Sequence, residues 1–149
     1  MRNINQSKKD LVNKVFTEVS DKYDLMNDLM SFGAHRIWKS RLLDWMNPKR
    51  NDNLIDIASG TGDIAKAFLK RVNYNGSVVC VEPSEPMLVA GKKKLKNLRN
   101  IKWCRAPAEK LPLKNEIFDI YVVSFGMRNF SNVDSAIKEA KRVLKTGGR

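Results

Sequence analysis

The sequence predicts an α/β protein in which a doubly wound, mostly parallel sheet follows an N-terminal arm of helices. From residue 53 onward, apolar runs alternate with helix-like stretches, a pattern typical of parallel strands joined by right-handed crossovers. A turn of small residues, Ser59-Gly60-Thr61-Gly62, follows the first of these runs. Before residue 50, apolar residues recur at helical spacing instead.

The predicted helical arm, or lid, occupies residues 1–50, and the predicted core occupies residues 51–149. In the arm the helical pattern breaks at Phe32-Gly33 and ends at Asn47-Pro48. In the core, Gly147-Gly148 closes the last helix. The strand candidates are 54–58, 77–81, 101–105 and 118–123, and the helix candidates are 62–72, 85–97 and 132–145.

The composition restricts the class of protein only broadly. The 149 residues, 42% of them hydrophobic, suffice for one domain with a core. No stretch is apolar enough to span a membrane, and residues 1–10 lack the apolar segment of a secretory signal, so we expect a cytoplasmic protein. Cys80 and Cys104 lie in strand-like runs without metal-ligand spacing, so we expect free thiols and no metal site.

The formal net charge of +12 is compatible with several partners: nucleic acid, an anionic membrane surface, or none if the source simply favours lysine. The lysines are spread along the chain. The dense run Lys92-Lys93-Lys94, with Lys96, follows an apolar helix stripe and is interpreted as a solvated helix face. Charge alone therefore identifies no partner.

The turn at residues 59–62 lies where a doubly wound sheet binds its ligand, beyond the carboxyl end of the first strand. Residues 60–65, GTGDIA, match the loose dinucleotide pattern G-x-G-x-x-A, which is a weak signal alone. Glu82 strengthens it, because a carboxylate about twenty positions on, at the end of the second strand, accepts both hydroxyls of a ribose. We therefore expect a ligand that contains a ribose.

Asp63 separates two classes of cofactor. A diphosphate binds the bare N–H groups and positive dipole of a helix N-terminus, but Asp63 occupies that turn and is expected to repel a second anion. S-adenosylmethionine has a ribose, no phosphate, and two cationic groups that match Asp56 and Asp63. The residues therefore favour S-adenosylmethionine over NAD, with a plain first-turn helix acid as the alternative interpretation of Asp63.

Several segments resemble the ubiquinone/menaquinone biosynthesis C-methyltransferases, which are class I S-adenosylmethionine-dependent enzymes. GTGD and RVLKxGG recur in many methyltransferases, whereas YDLMNDLMSFGxHRxWK and SFGxRN are specific to this family. The resemblance runs over nearly the whole chain and implies a Rossmann-like fold. The segments are VFTEVSDKYDLMNDLMSFGAHRIWK (15–39), DIASGTGDIA (56–65), AEKLPL (108–113), FDIYVVSFGMRN (118–129) and RVLKTGGR (142–149).

The resemblance also assigns cofactor-binding positions. Thr61 matches the family's loop threonine, and Glu82 stands where the family usually has a ribose-binding Asp. Pro83 is expected to lie flat against the adenine, and Ser124 matches a further cofactor position. The full predicted set is Asp56, Gly60, Thr61, Gly62, Glu82, Pro83, Pro107, Ala108 and Ser124.

Pro107 departs from the family pattern. The family places Asn or Asp there, beside the adenine amino group, but proline has neither a side-chain acceptor nor an N–H. Adenine recognition is therefore expected to rely on the Ala108 backbone, with Glu109 as a further candidate.

The reaction that the resemblance implies is methylation of a ring carbon of a prenylated hydroquinone. That carbon becomes nucleophilic when a neighbouring phenol is ionised, so the protein must stabilise a phenolate and align two reactants. Arg128 and Asn129 are the candidate catalytic residues: Arg128 as an electrostatic clamp on the phenolate, Asn129 to orient it or a relay water. A surface ion pair is the alternative for Arg128.

The arm is expected to fold over the open site. His35, the only histidine, is interpreted as a packing or capping residue, with a general base as the alternative. Tyr23 and Asp24 are candidates to close against the methionine end of the cofactor. A stripe of large apolar side chains is interpreted as core packing, with a surface for an isoprenoid tail as the alternative. Its members are Met26, Met30, Trp38 and Trp45.

The expected partners are a prenylated quinol, a transient anionic membrane surface on the inner membrane face, and a complex of quinone-biosynthesis proteins. Nucleic acid is not expected, because residues 124–127 lack the Asn/Asp-Pro-Pro-aromatic turn typical of amine methylation. The alternatives are a methyltransferase of another small molecule or of RNA, an inactive fragment, and an NAD-binding oxidoreductase.

The last expectation concerns the C-terminal end. In the class I order a fifth strand lies beside the fourth, and here it is expected directly after Gly147-Gly148, where the sequence stops at Arg149. The mostly apolar run at residues 117–123 also reads as a central strand rather than an edge. The sequence therefore predicts a truncated chain that lacks the last strands.

Overall fold

The computed structural model describes residues 34–149, so the expectations about Tyr23, Asp24, Met26 and Met30 lie outside the described residues. Within this range, every strand and helix predicted from residue 53 onward is present, with ends shifted by a few residues. The elements are α1 (Ala34–Met46), β1 (Asn53–Ile57), α2 (Asp63–Arg71), β2 (Ser77–Val81), α3 (Glu85–Lys94), β3 (Ile101–Cys104), β4 (Ile120–Val123), a 3-10 turn (Met127–Asn129) and α4 (Val133–Val143).

The four strands form one parallel sheet in the order β3-β2-β1-β4. Leu54 of β1 pairs with Val78 of β2 on one side and with Ile120 of β4 on the other. The chain therefore winds outward from β1 to β3 and then returns to the opposite side of β1, which confirms the doubly wound prediction. A ligand is expected at this reversal, beyond the carboxyl ends of β1 and its neighbours.

The two faces of the sheet are covered by two hydrophobic clusters. On one face, Leu43 of α1 and Phe68 of α2 pack with apolar residues of the sheet. On the other face, Val143 of α4 packs with Ile57 of β1. Because β1 is buried on both faces, it reads in the sequence as an almost continuous apolar run.

The predicted fourth strand starts later than expected. β4 begins at Ile120, and Phe118 instead forms an isolated parallel bridge to Leu144. Arg149 continues along this edge, since its N–H donates to the Asp119 carbonyl and its carbonyl accepts from the Tyr121 N–H at 2.8 Å. The segment after α4 therefore runs beside the beginning of β4.

The packing of α3 on the sheet depends on one glycine. A side chain at Gly91 would clash with three ring atoms of Trp103 on β3. Gly91 therefore lets the indole ring lie directly against the helix.

Several side chains differ in exposure from the sequence expectation. Trp38 and Trp45 of α1 are 55% and 81% exposed, so the core-packing interpretation is wrong for both. Cys80 is buried and Cys104 half-buried, and both are free thiols, as predicted. None of the helices within residues 34–149 is long and apolar enough to cross a membrane.

Candidate functional site

The loop between β1 and α2 has an unusual backbone conformation. Ala58, Gly60 and Gly62 all have positive φ values, of 52°, 55° and 83°, a region that glycine enters without strain. Gly62 has a second constraint, because a side chain there would lie 2.8 Å from Leu95 Cδ1 and 3.0 Å from the Trp103 ring. The loop therefore packs closely against Leu95 and Trp103 on one side, and its backbone lies at the carboxyl end of the sheet.

Glu82, at the end of β2, joins this loop to the next one. Its carboxylate accepts the Gly60 N–H at 2.8 Å and the Ser84 N–H at 2.9 Å, and the residue is only 6% exposed. An ionised carboxylate offers about four acceptor positions, so two remain after these bonds. That is the number needed to accept both hydroxyls of a ribose.

Asp56, inside β1, is 1% exposed, and its Oδ2 has no hydrogen-bond partner within residues 34–149. Burial raises its pKa to about 8; the charges of Asp63 and Glu82 add to this, while the Ala65 N–H and Lys39 oppose it. The side chain therefore holds a proton at neutral pH. A buried carboxyl oxygen without a hydrogen-bond partner is unusual and is consistent with a bound ligand group.

Asp63 has different partners from those expected. Its carboxylate binds the Lys39 ammonium of α1 at 2.7 Å and the Lys94 ammonium of α3 at 2.7 Å, and Lys94 also contacts the Thr61 hydroxyl at 3.2 Å. Burial alone would raise the pKa of Asp63, but hydrogen bonds from the two lysines hold it well below its usual range.

Two expectations about this region are therefore wrong. Asp63 is not a free carboxylate waiting for a cationic ligand group, because Lys39 and Lys94 already pair with it, and it is therefore not a bare negative charge at the start of α2. Lys94 is also part of this ion-paired cluster rather than only of a solvated helix face.

The expected adenine side lies after β2 and β3. Pro83 and Pro107 are exposed and Ala108 is buried. Glu109 has another role, since one carboxylate oxygen accepts the N–H groups of Ser131 and Asn132 at 2.6 and 3.2 Å. These bonds anchor the residues just before α4, and adenine recognition by the Ala108 backbone stays a prediction.

The candidate catalytic residues follow β4. A side chain at Gly126 would clash with Ala58 Cβ, so this loop lies directly against the loop after β1. Arg128 and Asn129 are exposed, and neither side chain forms a hydrogen bond or ion pair within residues 34–149. The surface ion pair considered for Arg128 is not present in this part of the chain. Ser124, at the end of β4, is half-buried.

Helix α1 reaches the same site from the side. Trp38 packs on Phe125, with ring centroids 5.8 Å apart, and Lys39 binds Asp63. Phe125 is 65% exposed and has a positive φ of 61°, which is strained for an aromatic residue. Sequence reasoning missed Lys39, Lys94 and Phe125; the first and last lie inside the segments that carry the family resemblance, but no local pattern gives them partners.

A cavity of about 350 Å³ lies elsewhere, at the amino ends of β2 and β3. It contains none of the candidate residues, so it is not the site predicted from the sequence. Its lining residues are Leu69, Tyr74, Asn97, Leu98, Arg99 and Asn100.

A parallel sheet in the order β3-β2-β1-β4, with candidate ligand groups after each strand, defines the chain as a Rossmann-like class I methyltransferase fold. A SAM-dependent methyltransferase from Aquifex aeolicus superimposes with a TM-score of 0.67 at 23% identity, over 72% of this chain and 58% of that one. The [4+2]-cyclase SpnF superimposes with a TM-score of 0.64 at 22% identity, over 70% of this chain and 40% of that one. The fold alone therefore does not determine the reaction.

The chain belongs to the ubiE/COQ5 methyltransferase family, whose model matches residues 1–149. The ubiquinone/menaquinone biosynthesis C-methyltransferase UbiE of Cereibacter sphaeroides is 45% identical over 142 residues, which are 93% of this chain and 56% of that protein. The UbiE of Paracoccus denitrificans is 44% identical over 147 residues, 97% of this chain and 58% of that protein. The chain thus spans somewhat more than half the length of these relatives.

The family and the fold imply S-adenosylmethionine as the cofactor, as the sequence predicts. The described residues fit it. Glu82 keeps acceptors for a ribose, Asp56 has an open buried carboxyl atom, and the strained loop presents backbone rather than side chains to a ligand.

Proposed function

We propose that the full-length protein methylates a ring carbon of a prenylated hydroquinone in ubiquinone or menaquinone biosynthesis, with S-adenosylmethionine as the methyl donor. The observation that carries the proposal is the position of Arg128. The Arg128 side chain is exposed and unpaired within residues 34–149. It lies two residues after Gly126, which packs against Ala58 in the loop after β1, in a chain that belongs to this family.

S-adenosylmethionine supplies an electrophilic methyl group when bound. Glu82 holds the ribose through its remaining acceptors, and the backbone of residues 60–62 approaches the ligand closely because these positions carry small side chains or none. Ser124 follows the last residue of β4, four positions before Arg128, and is a further contact for the cofactor. These contacts fix the donor in one orientation, which is what an in-line transfer needs.

Arg128 supplies the positive charge that stabilises the ring to be methylated. A guanidinium stays protonated in proteins and offers a planar set of five donors, so it stabilises a phenolate on the ring next to the carbon that is methylated. Asn129, beside it, orients the phenolate oxygen or a water that removes the phenol proton.

Replacing Arg128 by lysine tests this role. Arg128→Lys keeps the charge but not the planar fork, so turnover should fall about tenfold or more, while affinity for S-adenosylmethionine stays unchanged. Methyl transfer from labelled cofactor to a prenylated hydroquinone measures the first quantity, and calorimetry measures the second. Arg99→Lys, an exposed change at the opposite end of the sheet, is the matched control. Unchanged turnover in Arg128→Lys would remove Arg128 from the mechanism.

Calorimetry with NAD and a methyl-transfer assay with RNA test the two alternatives. NAD that binds as tightly as S-adenosylmethionine would favour the oxidoreductase hypothesis. Methyl transfer to RNA rather than to a hydroquinone would favour a nucleic-acid substrate.

We also propose that the protein works on the cytoplasmic side of the membrane and visits an anionic lipid surface, where a prenylated substrate resides. The support is a group of exposed basic side chains along the end of α3 and the edge strand β3. Contact with other quinone-biosynthesis proteins at the membrane is part of this proposal. The basic group comprises Lys92, Lys93, Lys96, Arg99 and Lys102.

A further inference from the structure

A pair of aromatic side chains lies at the edge of the candidate site. Trp38 of α1 and Phe125, in the loop after β4, have ring centroids 5.8 Å apart and ring planes at 36° to each other. Although the two rings pack on each other, 55% of Trp38 and 65% of Phe125 stay exposed. Met127, two residues after Phe125, is also 48% exposed. Two elements of the fold therefore present large apolar side chains at this place.

The backbone of Phe125 is held in a strained conformation. Its φ of 61° lies in a region that a bulky residue enters only at a cost, and such strain is concentrated at binding and active sites. The next residue, Gly126, packs so closely on the loop after β1 that a side chain there would clash with Ala58 Cβ. Packing between the two loops therefore keeps the Phe125 ring on Trp38 although local preference opposes it.

The aromatic pair adjoins the candidate clamp. Arg128 follows Phe125 by three residues, which span at most about 11 Å, and the chain turns here, since the Asn129 N–H donates to the Gly126 carbonyl at 3.0 Å. A guanidinium binds a phenolate through charge-assisted hydrogen bonds, but it does not distinguish a ring with a hydrocarbon chain from a ring without one. An apolar surface beside the guanidinium does make this distinction, because it contacts the chain.

We propose that Trp38 and Phe125 form the subsite for the first isoprene units of the prenyl tail, with Phe125 as the residue that determines the preference for prenylated over unprenylated rings. This inference rests on the proposed function. A cation next to an exposed apolar surface matches a phenolate that carries a hydrocarbon chain, which is why the tail is the occupant. The subsite also assigns a role to α1, which Lys39 holds beside the loop after β1 by binding Asp63.

Methyl transfer by the full-length protein to two small hydroquinones tests the inference. One ring carries two isoprene units, and the other carries a methyl group in their place. The wild-type protein should have a kcat/KM at least about tenfold higher for the prenylated ring, a typical difference for hydrocarbon contacts in an apolar site. Phe125→Ala and Trp38→Ala should each lose most of this preference and keep their affinity for S-adenosylmethionine.

Two further changes at Phe125 separate the ring from the backbone. Phe125→Tyr keeps the ring and should keep the preference. Phe125→Gly removes the ring and also relieves the strain, because glycine enters positive φ freely. It should lose the preference as the alanine variant does, and it replaces that variant if alanine prevents folding.

Trp45→Ala is the matched control. Trp45 is the same residue type on the same helix, is 81% exposed, and lies about 10 Å from Trp38 along the helix axis, so its loss should leave the preference as it is. Equal kcat/KM of the wild-type protein for the two rings would overturn the inference. A preference that survives in both Phe125→Ala and Trp38→Ala would also overturn it, as expected if another part of the chain covers the pair. Failure of the wild-type protein to methylate either ring would instead overturn the proposed function.

Discussion

At the carboxyl end of β2, one carboxylate serves both the fold and the proposed ligand. Glu82 accepts two backbone N–H groups from two loops and, in the proposed complex, both ribose hydroxyls. A shorter Asp, which the resemblance makes usual in the family, has one methylene less to span the distance to the Gly60 N–H. The longer glutamate side chain therefore influences the position of the loop after β1 as well as that of the ligand.

Glu82→Ala should weaken both binding and stability. Two partly buried N–H groups would lose their acceptor, at a cost of at most about 1–3 kcal/mol each if water does not replace it, and the ribose would lose its partner. Calorimetry with S-adenosylmethionine and urea denaturation measure the two effects. Glu82→Gln, which keeps the shape and one carbonyl oxygen, should lie between alanine and the wild-type protein. An alanine variant with full affinity would exclude Glu82 from ribose binding.

Asp56 should make the ligand-free protein less stable as the pH rises. Burial raises its pKa from 3.8 to about 8 in the folded state. The stabilising contribution of its protonated form is therefore fully present below about pH 4 and is lost as the pH rises through about 8. Asp56→Asn, neutral at every pH, should gain stability relative to the wild-type protein between about pH 5 and pH 9.

Urea denaturation across that pH range measures the difference. The exposed change Asp134→Asn is the control and should leave the pH dependence as it is. If Asp56→Asn and the wild-type protein show parallel stability curves, Asp56 is ionised throughout and the buried proton does not exist.

At the scale of elements, α3 and β3 are joined through Gly91 and Trp103. Alanine in place of a helical glycine normally stabilises by about 0.5–1 kcal/mol. Here the added carbon would clash with the indole ring, so Gly91→Ala should instead destabilise by about 1–3 kcal/mol. Urea denaturation gives the sign directly. Trp103→Leu in the Gly91→Ala background should recover part of the loss, and a stabilised Gly91→Ala would contradict the packing.

Most elements of the core can be predicted from the sequence, but the contacts between distant elements cannot. The strands and helices of the core follow from local periodicity, and Glu82 and the glycine loop follow from their position after strands. The ion pairs of Asp63 do not, because Lys39 and Lys94 lie 24 and 31 residues away along the chain. The prediction that Trp38 is buried is wrong for a related reason: helical spacing shows which residues share a face, but not whether another element covers that face.

In the whole molecule, part of the net charge of +12 is concentrated on one surface. The basic group at the end of α3 and along β3 should bring the protein to anionic vesicles at roughly 1 kcal/mol per well-placed Lys or Arg, with binding that weakens as salt rises. Lys93→Glu with Lys96→Glu should reduce vesicle binding, measured by sedimentation.

The control carries the same change in net charge on the opposite face of the sheet. Lys138→Glu with Lys141→Glu on α4, both exposed, should reduce vesicle binding less. Equal losses would mean that net charge, and no particular surface, draws the protein to lipid. Tighter binding to RNA than to vesicles at physiological salt would favour a nucleic-acid partner instead.

The position of β1 between β2 and β4 also has a consequence for the order in which the chain assembles. Asn53 is hydrogen-bonded both to Ser77, 24 residues later, and to Asp119, 66 residues later. Closing the longer loop costs about 0.9 kcal/mol more in chain entropy, and pairings that are distant in sequence form more slowly than local ones. We therefore expect the β1–α2–β2 unit to form before β4 is added to it. The ribose side of the cofactor site should then take shape before the side that carries Arg128.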